Sequence, residues 1–418
     1  MLFRDAMRAQ YYLKEIQQGQ ERLRNTLETL YVYWPTLATK EIIEKVSLQL
    51  ADWTDQILLP VIAHEVESSK ITDTLVGDTP SERYESFFLR NGAWTSEARE
   101  IILTYPFLFE MIQTFVKSSV DNLCHCLKML KQDLPLIRKN LLEHDDSPLL
   151  NIYIPGSDRH RGGKQAVVLS FASGSKIIFK PTDLTPDQLF RDFIASLGLP
   201  YPYDLYCMRV LPQDGYGWLE YLSNTPCLNF DELKNFYRRA GVLLAVTDAL
   251  NYCDGHFDNL IASGSYPVLI DCETLFHTFG EIDPELGERS ILFTGLVQKP
   301  PKKDSGRGFT AALQTLGTKR FAFLHTYAVN DHTDNLAVRF RGITEEVSHN
   351  CPIFEGRFQT PHNFIQEFAE GFTRGYDQIS RYSQRILDDS EWWRRISRIR
   401  ARQLIRHTLY YQLLIRKI

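Results

Sequence analysis

The stretch Asp254-Gly255-His256-Phe257-Asp258-Asn259 decides how the rest of the chain is read. It sets an Asp and an Asn five positions apart in a short polar turn. That is the D-x-x-x-x-N spacing of a kinase catalytic loop, in which the Asp orients a hydroxyl and the Asn holds Mg²⁺. An apolar run, Pro267-Val268-Leu269-Ile270, then delivers Asp271, with Glu273 two residues on. A metal-binding carboxylate at the end of a strand after such a loop is the other half of a phosphoryl-transfer site. The spacing points to ATP-dependent chemistry.

Each of these residues also has a plainer reading. An Asp-Gly pair often only makes a turn. Asn259 at the right offset and Asp271 after a strand favour a functional Asp254, which can accept or orient the proton of an attacking hydroxyl. His256 either positions phosphate or steadies the loop. Asn259 and Asp271 are the expected Mg²⁺ ligands, because few, hard oxygen donors leave room for ATP phosphates and water. Glu273 is expected on the same strand face as Asp271 by the period of two, where it helps the metal or Asp271 itself.

Working outward, Phe230 to Tyr252 has the pattern of a long helix leading into the loop. Leu260 to Ala262 and Val268 to Asp271 read as a hairpin around Gly264-Ser265-Tyr266-Pro267. Upstream, Gln165 to Phe171 and Lys176 to Lys180 read as a hairpin around Ala172-Ser173-Gly174-Ser175, followed by a helix from Pro186 to Leu197. Tyr203 to Leu211 and Tyr216 to Tyr221 are expected strands. Lys180, closing an apolar strand, suits the kinase lysine that grips the α- and β-phosphates, against an alternative as a plain edge-strand lysine. The order (hairpin with Lys, helix, strands, helix, loop, metal-bearing strand) is that of a two-lobed kinase.

Gly156-Ser157-Asp158-Arg159-His160-Arg161-Gly162-Gly163 precedes the hairpin. Its glycines and cationic side chains suit phosphate, although it is not G-x-G-x-x-G. Residues 1–150 carry apolar residues at helical spacing over Tyr11–Leu30, Glu41–Glu65, Ser96–Lys117 and Val120–Asn140, with Thr39 and Thr95 as N-caps. They hold no catalytic constellation and read as a helical scaffold or cap. Residues 280–360 read as irregular, and Pro300 to Gly308 as a lid, a substrate loop or a disordered segment. From Pro361 on, the pattern is helical. Arg395, Arg398, Arg402 and Arg406 fall on one helix face, either a solvated stripe or a phosphate clamp with Thr408 nearby.

Composition sets bounds. The 418 residues leave room for two or three domains or lobes. A net charge of −5 argues against non-specific nucleic-acid binding as the main task. Seven scattered cysteines suit a reducing cytoplasm, and Cys124-His125-Cys126 lacks the second ligand pair of a zinc site. Arg4, Asp5 and Arg8 interrupt the N-terminus early, so no signal peptide is expected there. The longest apolar stretch, Ala240 to Leu250, contains Thr247 and Asp248 and is too short to span a membrane.

Together, Asp158-x-His160-x-x-Gly163, Phe179-Lys180-Pro181, Asp254-x-His256-x-x-Asn259, Pro267 to Asp271-Cys272-Glu273-Thr274-Leu275-Phe276, and Arg402 with Thr408 resemble the dehydratase domain of class II (LanM-type) lanthipeptide synthetases. The resemblance covers roughly 150–418. It implies an α+β fold, with a two-lobed, lipid-kinase-like catalytic core over 151–418, a helical N-terminal or cap region over 1–150, and C-terminal helices. It also implies ATP- and Mg²⁺-dependent phosphorylation of Ser and Thr in a leader-bearing precursor peptide. Elimination of the phosphate, a lyase step, then gives the dehydrated residue. Lys180, Asp254, His256, Asn259 and Asp271 would serve ATP, Mg²⁺ and phosphorylation; Asp158, His160, Arg402 and Thr408 would serve elimination. Which residue is the elimination base stays open. The chain stops at Ile418 without the family's cyclase domain, so cyclisation is not expected of it, and a separately encoded cyclase or C-terminal half is a candidate partner. A kinase without elimination and a non-catalytic peptide-binding fragment are the alternatives.

Overall fold

The computed structural model describes residues 6–155, 161–277, 290–297, 311–313, 324–342, 349–399 and 402. The architecture is mixed α and β, with helices at the N-terminal side and again near the C-terminal side. Two compact units divide the chain, one formed by residues 1–181 and 321–343 and the other by 182–320 and 344–418.

The first unit is built on helices Leu13–Glu28, Thr39–Ile71 and Pro106–Asn140. Each buries one apolar stripe, including Leu23 and Leu27, Leu50 and Leu58, and Leu123, Leu127 and Leu130. Thr95 caps helix Ser96–Thr104 by accepting from Ala98 N, as its place in the sequence predicts. Thr39 does not act as a cap. It is the first helical residue, Ala38 precedes it, and its hydroxyl is engaged by Tyr31 and the Leu37 carbonyl. A capping box that the sequence reading passed over lies at Thr79 and Glu82, which open helix Pro80–Phe88.

Arg8 is more than an interruption of an apolar start. It is 1% exposed and bound by the Asp55 carboxylate, at 2.8 and 3.0 Å, and by Asp331 and the Tyr84 hydroxyl. A buried charge survives only with such partners. Asp331 sits in a hairpin, Leu324–Val329 with Ala337–Gly342, inside the stretch read as irregular. Strands Leu149–Tyr153, Val167–Phe171 and Lys176–Lys180 pair antiparallel, Lys176–Lys180 taking the predicted boundaries. Cys124 and Cys126 are free thiols buried in helix Pro106–Asn140, and His125 packs edge-on against Phe179.

The second unit is organised by two helices, Phe230–Ala249 and Ile365–Asp388. They meet backbone to backbone. A Cβ on Gly371 would stand 1.8 Å from the Arg238 carbonyl oxygen, and one on Gly241 2.0 Å from that of Phe368. Tyr237 stacks on Phe364 with ring centroids 4.7 Å apart. The expected strand Tyr203–Leu211 shrinks to Val210–Gln213, paired with Tyr216–Glu220. Its first half is used otherwise: the Asp204 carboxylate accepts from Arg239 at 2.7 Å and from the Tyr266 hydroxyl at 2.8 Å. That side-chain cluster holds the segment without a ladder. The C-terminal helix read as one basic stripe also differs. Helix Ser390–Ile396 ends before Arg398, and Arg402 stands outside helical structure. Arg395 pairs with Asp192, whereas Arg402 pairs with Glu273, so these two arginines do not serve one face, and Arg406 lies outside the described residues. Among the described residues no helix is long and apolar enough to cross a membrane.

Candidate active site

Helix Phe230–Ala249 starts at a fixed point. The Asn229 side chain accepts from Glu232 N at 2.9 Å, and the Glu232 carboxylate accepts from Leu228 N at 2.8 Å. Its other end turns through Asn251, which takes a left-handed φ of 52°, and delivers Tyr252 to the interior at 1% exposure. The Tyr252 hydroxyl lies 3.0 Å from both the Asp254 and the Asp271 carbonyl oxygens. One buried phenol therefore ties the loop to the end of the hairpin that carries the second carboxylate. Burial, then the nearby Asp254 and Asp271, raises its pKa far above the ordinary phenol value, so it remains a donor. The motif reading missed Tyr252, since no pattern marks a tyrosine two residues before an Asp.

Gly255 is required by close approach, not by a turn. Its backbone lies outside the left-handed region, and a Cβ there would sit 2.4 Å from the Thr294 carbonyl oxygen. The Gly255 N–H donates to that oxygen at 2.8 Å, and Ala312 N donates to the Gly255 carbonyl at 2.9 Å. The loop is thus clamped on both sides. A short 3₁₀ turn, Phe257–Asn259, follows, capped by His256 Nδ1, which accepts from Asp258 N at 3.2 Å. With Nδ1 so used, Nε2 faces Asp254 Oδ1 at 3.6 Å and Asn259 Nδ2 at 3.4 Å.

Asn259 closes the loop on itself. Its Nδ2 donates to the Asp254 carbonyl at 2.8 Å and to Asp254 Oδ2 at 3.3 Å. Its own carbonyl accepts from Ile270 N at 3.0 Å, next to Asp271. Hairpin Leu260–Ser263 with Tyr266–Leu269 ends before Asp271, so Asp271 and Glu273 do not share a strand face. They share a turn instead, in which Asp271 Oδ1 accepts from Glu273 N at 3.1 Å. Glu273 then turns its carboxylate to Arg402 Nη1, and its carbonyl accepts from Arg402 N at 2.8 Å.

The electrostatic consequence appears at Asp254. Burial, then repulsion from Asp271, push its carboxyl up to about 7, with Arg402 and Asn259 acting in the opposite sense. Its side chain is nonetheless 19% exposed, enough to be reached from solvent. A carboxylate with a pKa near neutrality, within reach of solvent and steadied by an amide, is suited to take a proton from a hydroxyl. Among the described residues no three His, Cys, Asp or Glu side chains converge as a ready-made metal cage.

Lys180 ends strand Lys176–Lys180 in the first compact unit, half-buried. The structure therefore brings Asp254, His256, Asn259, Asp271, Glu273 and Arg402 together around one loop. Asp158, His160 and Thr408 lie outside the described residues.

Residues 105–418 match the family described as "Domain of unknown function (DUF4135)". The chain belongs to this family. Over 376 residues this DUF4135 protein is also 25% identical to the lacticin 481/lactococcin biosynthesis protein LcnDR2 of Lactococcus lactis subsp. lactis. That alignment takes in 84% of the chain but only 40% of the relative's length. The two matches bear out the resemblance to the dehydratase domain of the class II lanthipeptide synthetases, and the Asp254 loop and the Asp271 turn both fall inside the matched family region.

Proposed function

We infer that this DUF4135 protein carries ATP-dependent dehydration of Ser and Thr in a lanthipeptide precursor peptide, by phosphorylation followed by phosphate elimination. The observation that supports it most is the Asp254 carboxyl, held near pH 7 by burial and by Asp271, in a loop that Asn259 ties to it. The similarity to a lacticin 481/lactococcin biosynthesis protein supplies the substrate class. The core is read as lipid-kinase-like and two-lobed, on the order of Lys180 hairpin, helix, hairpin, helix, acidic loop and hairpin along the chain.

The residues present suit Mg²⁺ with ATP. Asp271 and Asn259 offer hard oxygen donors, too few to complete a shell, which leaves positions for phosphate oxygens and water. Burial, and after it repulsion from Asp271, raise Asp254, and a bound cation would offset that repulsion. When bound, Mg²⁺ supplies charge neutralisation at the transferring phosphate. Lys180 grips the nucleotide phosphates. Asp254 receives the substrate hydroxyl proton. His256, fixed through Nδ1, presents Nε2 beside that carboxylate. Glu273 holds the Asp271 turn and Arg402. Asp158, His160, Arg402 and Thr408 serve elimination, which needs a base for the α-proton and cations for the departing phosphate. The working location is cytoplasmic, and the partner is the precursor peptide with its leader.

The test uses mass spectrometry. A leader-bearing, Ser/Thr/Cys-rich peptide encoded beside this gene, incubated with the protein, ATP and Mg²⁺, is expected to lose water. Gain of phosphate alone identifies a kinase without elimination. No mass change, together with no nucleotide binding, leaves a peptide-binding role and refutes the enzymatic reading.

A further inference from the structure

The acidic loop already has a cation of its own. Arg402 reaches Glu273 twice, with its guanidinium on the carboxylate and its backbone N–H 2.8 Å from the carbonyl. Burial works against this charge, yet the hydrogen bond to Glu273 and the fields of Glu273, Asp254 and Asp271 together raise its pKa above the ordinary arginine value. Three carboxylates and one guanidinium leave a formal charge of −2 when all are ionised, the balance that a divalent ion would meet. Two cations drawn to one partly buried cluster also repel each other, more strongly than they would in water.

We propose that Arg402 is the resident counter-ion of the Asp254–Asp271–Glu273 cluster and is antagonistic to a divalent cation bound there. Without metal, the guanidinium shields the carboxylates and keeps the loop from springing apart. With metal on the Asp271 side, its hold on Glu273 weakens and the guanidinium becomes available to an anion, such as a phosphate group carried with the metal. The coupling is reciprocal, as any linkage between two sites must be. Its sign reverses with the ligand's charge: Arg402 opposes a bare divalent ion but favours a metal–nucleotide. The inference rests on the metal-binding reading of this loop.

Mn²⁺ titrations followed by electron paramagnetic resonance separate the possibilities. Asp271→Asn tests the metal site itself and is expected to abolish tight binding. If it does not, the underlying reading fails, and this proposal fails with it. Where Asp271→Asn behaves as expected, Arg402→Gln is expected to bind bare Mn²⁺ on the order of tenfold more tightly than wild type. Arg402→Lys should stay near wild type, and Arg402→Gln should bind Mn²⁺ with a non-hydrolysable ATP analogue more weakly than wild type. A merely structural Arg402 would weaken both when replaced. Unchanged or weaker Mn²⁺ binding by Arg402→Gln overturns the proposal. Should that variant not fold, the wild-type chain decides. Hydrogen exchange at the Arg402 amide is expected to quicken on saturation with Mg²⁺, and an unchanged or slower rate overturns the proposal equally.

Discussion

Asn259 places its side-chain amide on Asp254 twice, 2.8 Å from the backbone carbonyl and 3.3 Å from Oδ2. The same Nδ2 lies 3.4 Å from His256 Nε2, so one amide nitrogen gathers the loop around Asp254. On the proposed function, this side chain steadies the Asp254 carboxylate and supplies one oxygen to the metal. Replacing Asn259 and Asp271 together with Ala is expected to remove Mg²⁺-dependent ATP binding in calorimetry. Undiminished binding in the double variant would show that the nucleotide metal is held elsewhere.

Asp254→Asn preserves shape and removes the proton acceptor. Nucleotide binding should persist, while single-turnover phosphate transfer falls by about 10²–10⁴-fold, the usual scale for loss of a general base. A change of less than about threefold would assign the role to another group.

Stability of the metal-free protein should depend on pH through the same residue. The folded-state carboxyl is raised to about 7, against about 3.9 for an unfolded Asp. Between those values the folded state binds the extra proton, so this group's contribution is complete below pH ~4 and is lost as pH rises through ~7. Denaturant titrations in EDTA should show wild type losing up to about 1.4 kcal/mol per pH unit relative to Asp254→Asn across that window. A pH-independent difference between the two proteins would mean that Asp254 titrates as an ordinary carboxylate.

Gly371→Ala tests the helix pair behind the loop. Its Cβ would meet the Arg238 carbonyl oxygen at 1.8 Å, and backbone cannot rotate away as a side chain can. Overpacking of this kind costs roughly 1–3 kcal/mol or more. A midpoint shift equivalent to less than about 0.5 kcal/mol in urea would show that the two helices separate easily.

Elimination is expected to fail separately from phosphorylation. Arg402→Ala and Thr408→Ala should accumulate phosphopeptide, visible by mass, because a cation on a departing anion contributes on the order of 10²-fold. Normal dehydration without a phosphorylated intermediate in both variants would place the elimination site elsewhere.

Sequence alone determined what is local. The D-x-x-x-x-N spacing, the alternation that makes Lys176–Lys180 a strand, and the helical period of Phe230–Ala249 depend on neighbours within a few residues, and the structure keeps them. The tertiary structure decided what depends on distant partners. Glu273 leaves the expected strand face because Arg402, 129 positions away, holds its carboxylate. Tyr203–Leu211 gives up most of its strand, with Asp204 bound by Arg239 and Tyr266 instead. Arg8 is buried because Asp55 and Asp331 converge on it. Gly255 is a close-approach glycine because Thr294 lies against it. The raised Asp254 pKa likewise arises only when folding excludes water and brings Asp271 near, since charge repulsion and desolvation act through space and not along the chain.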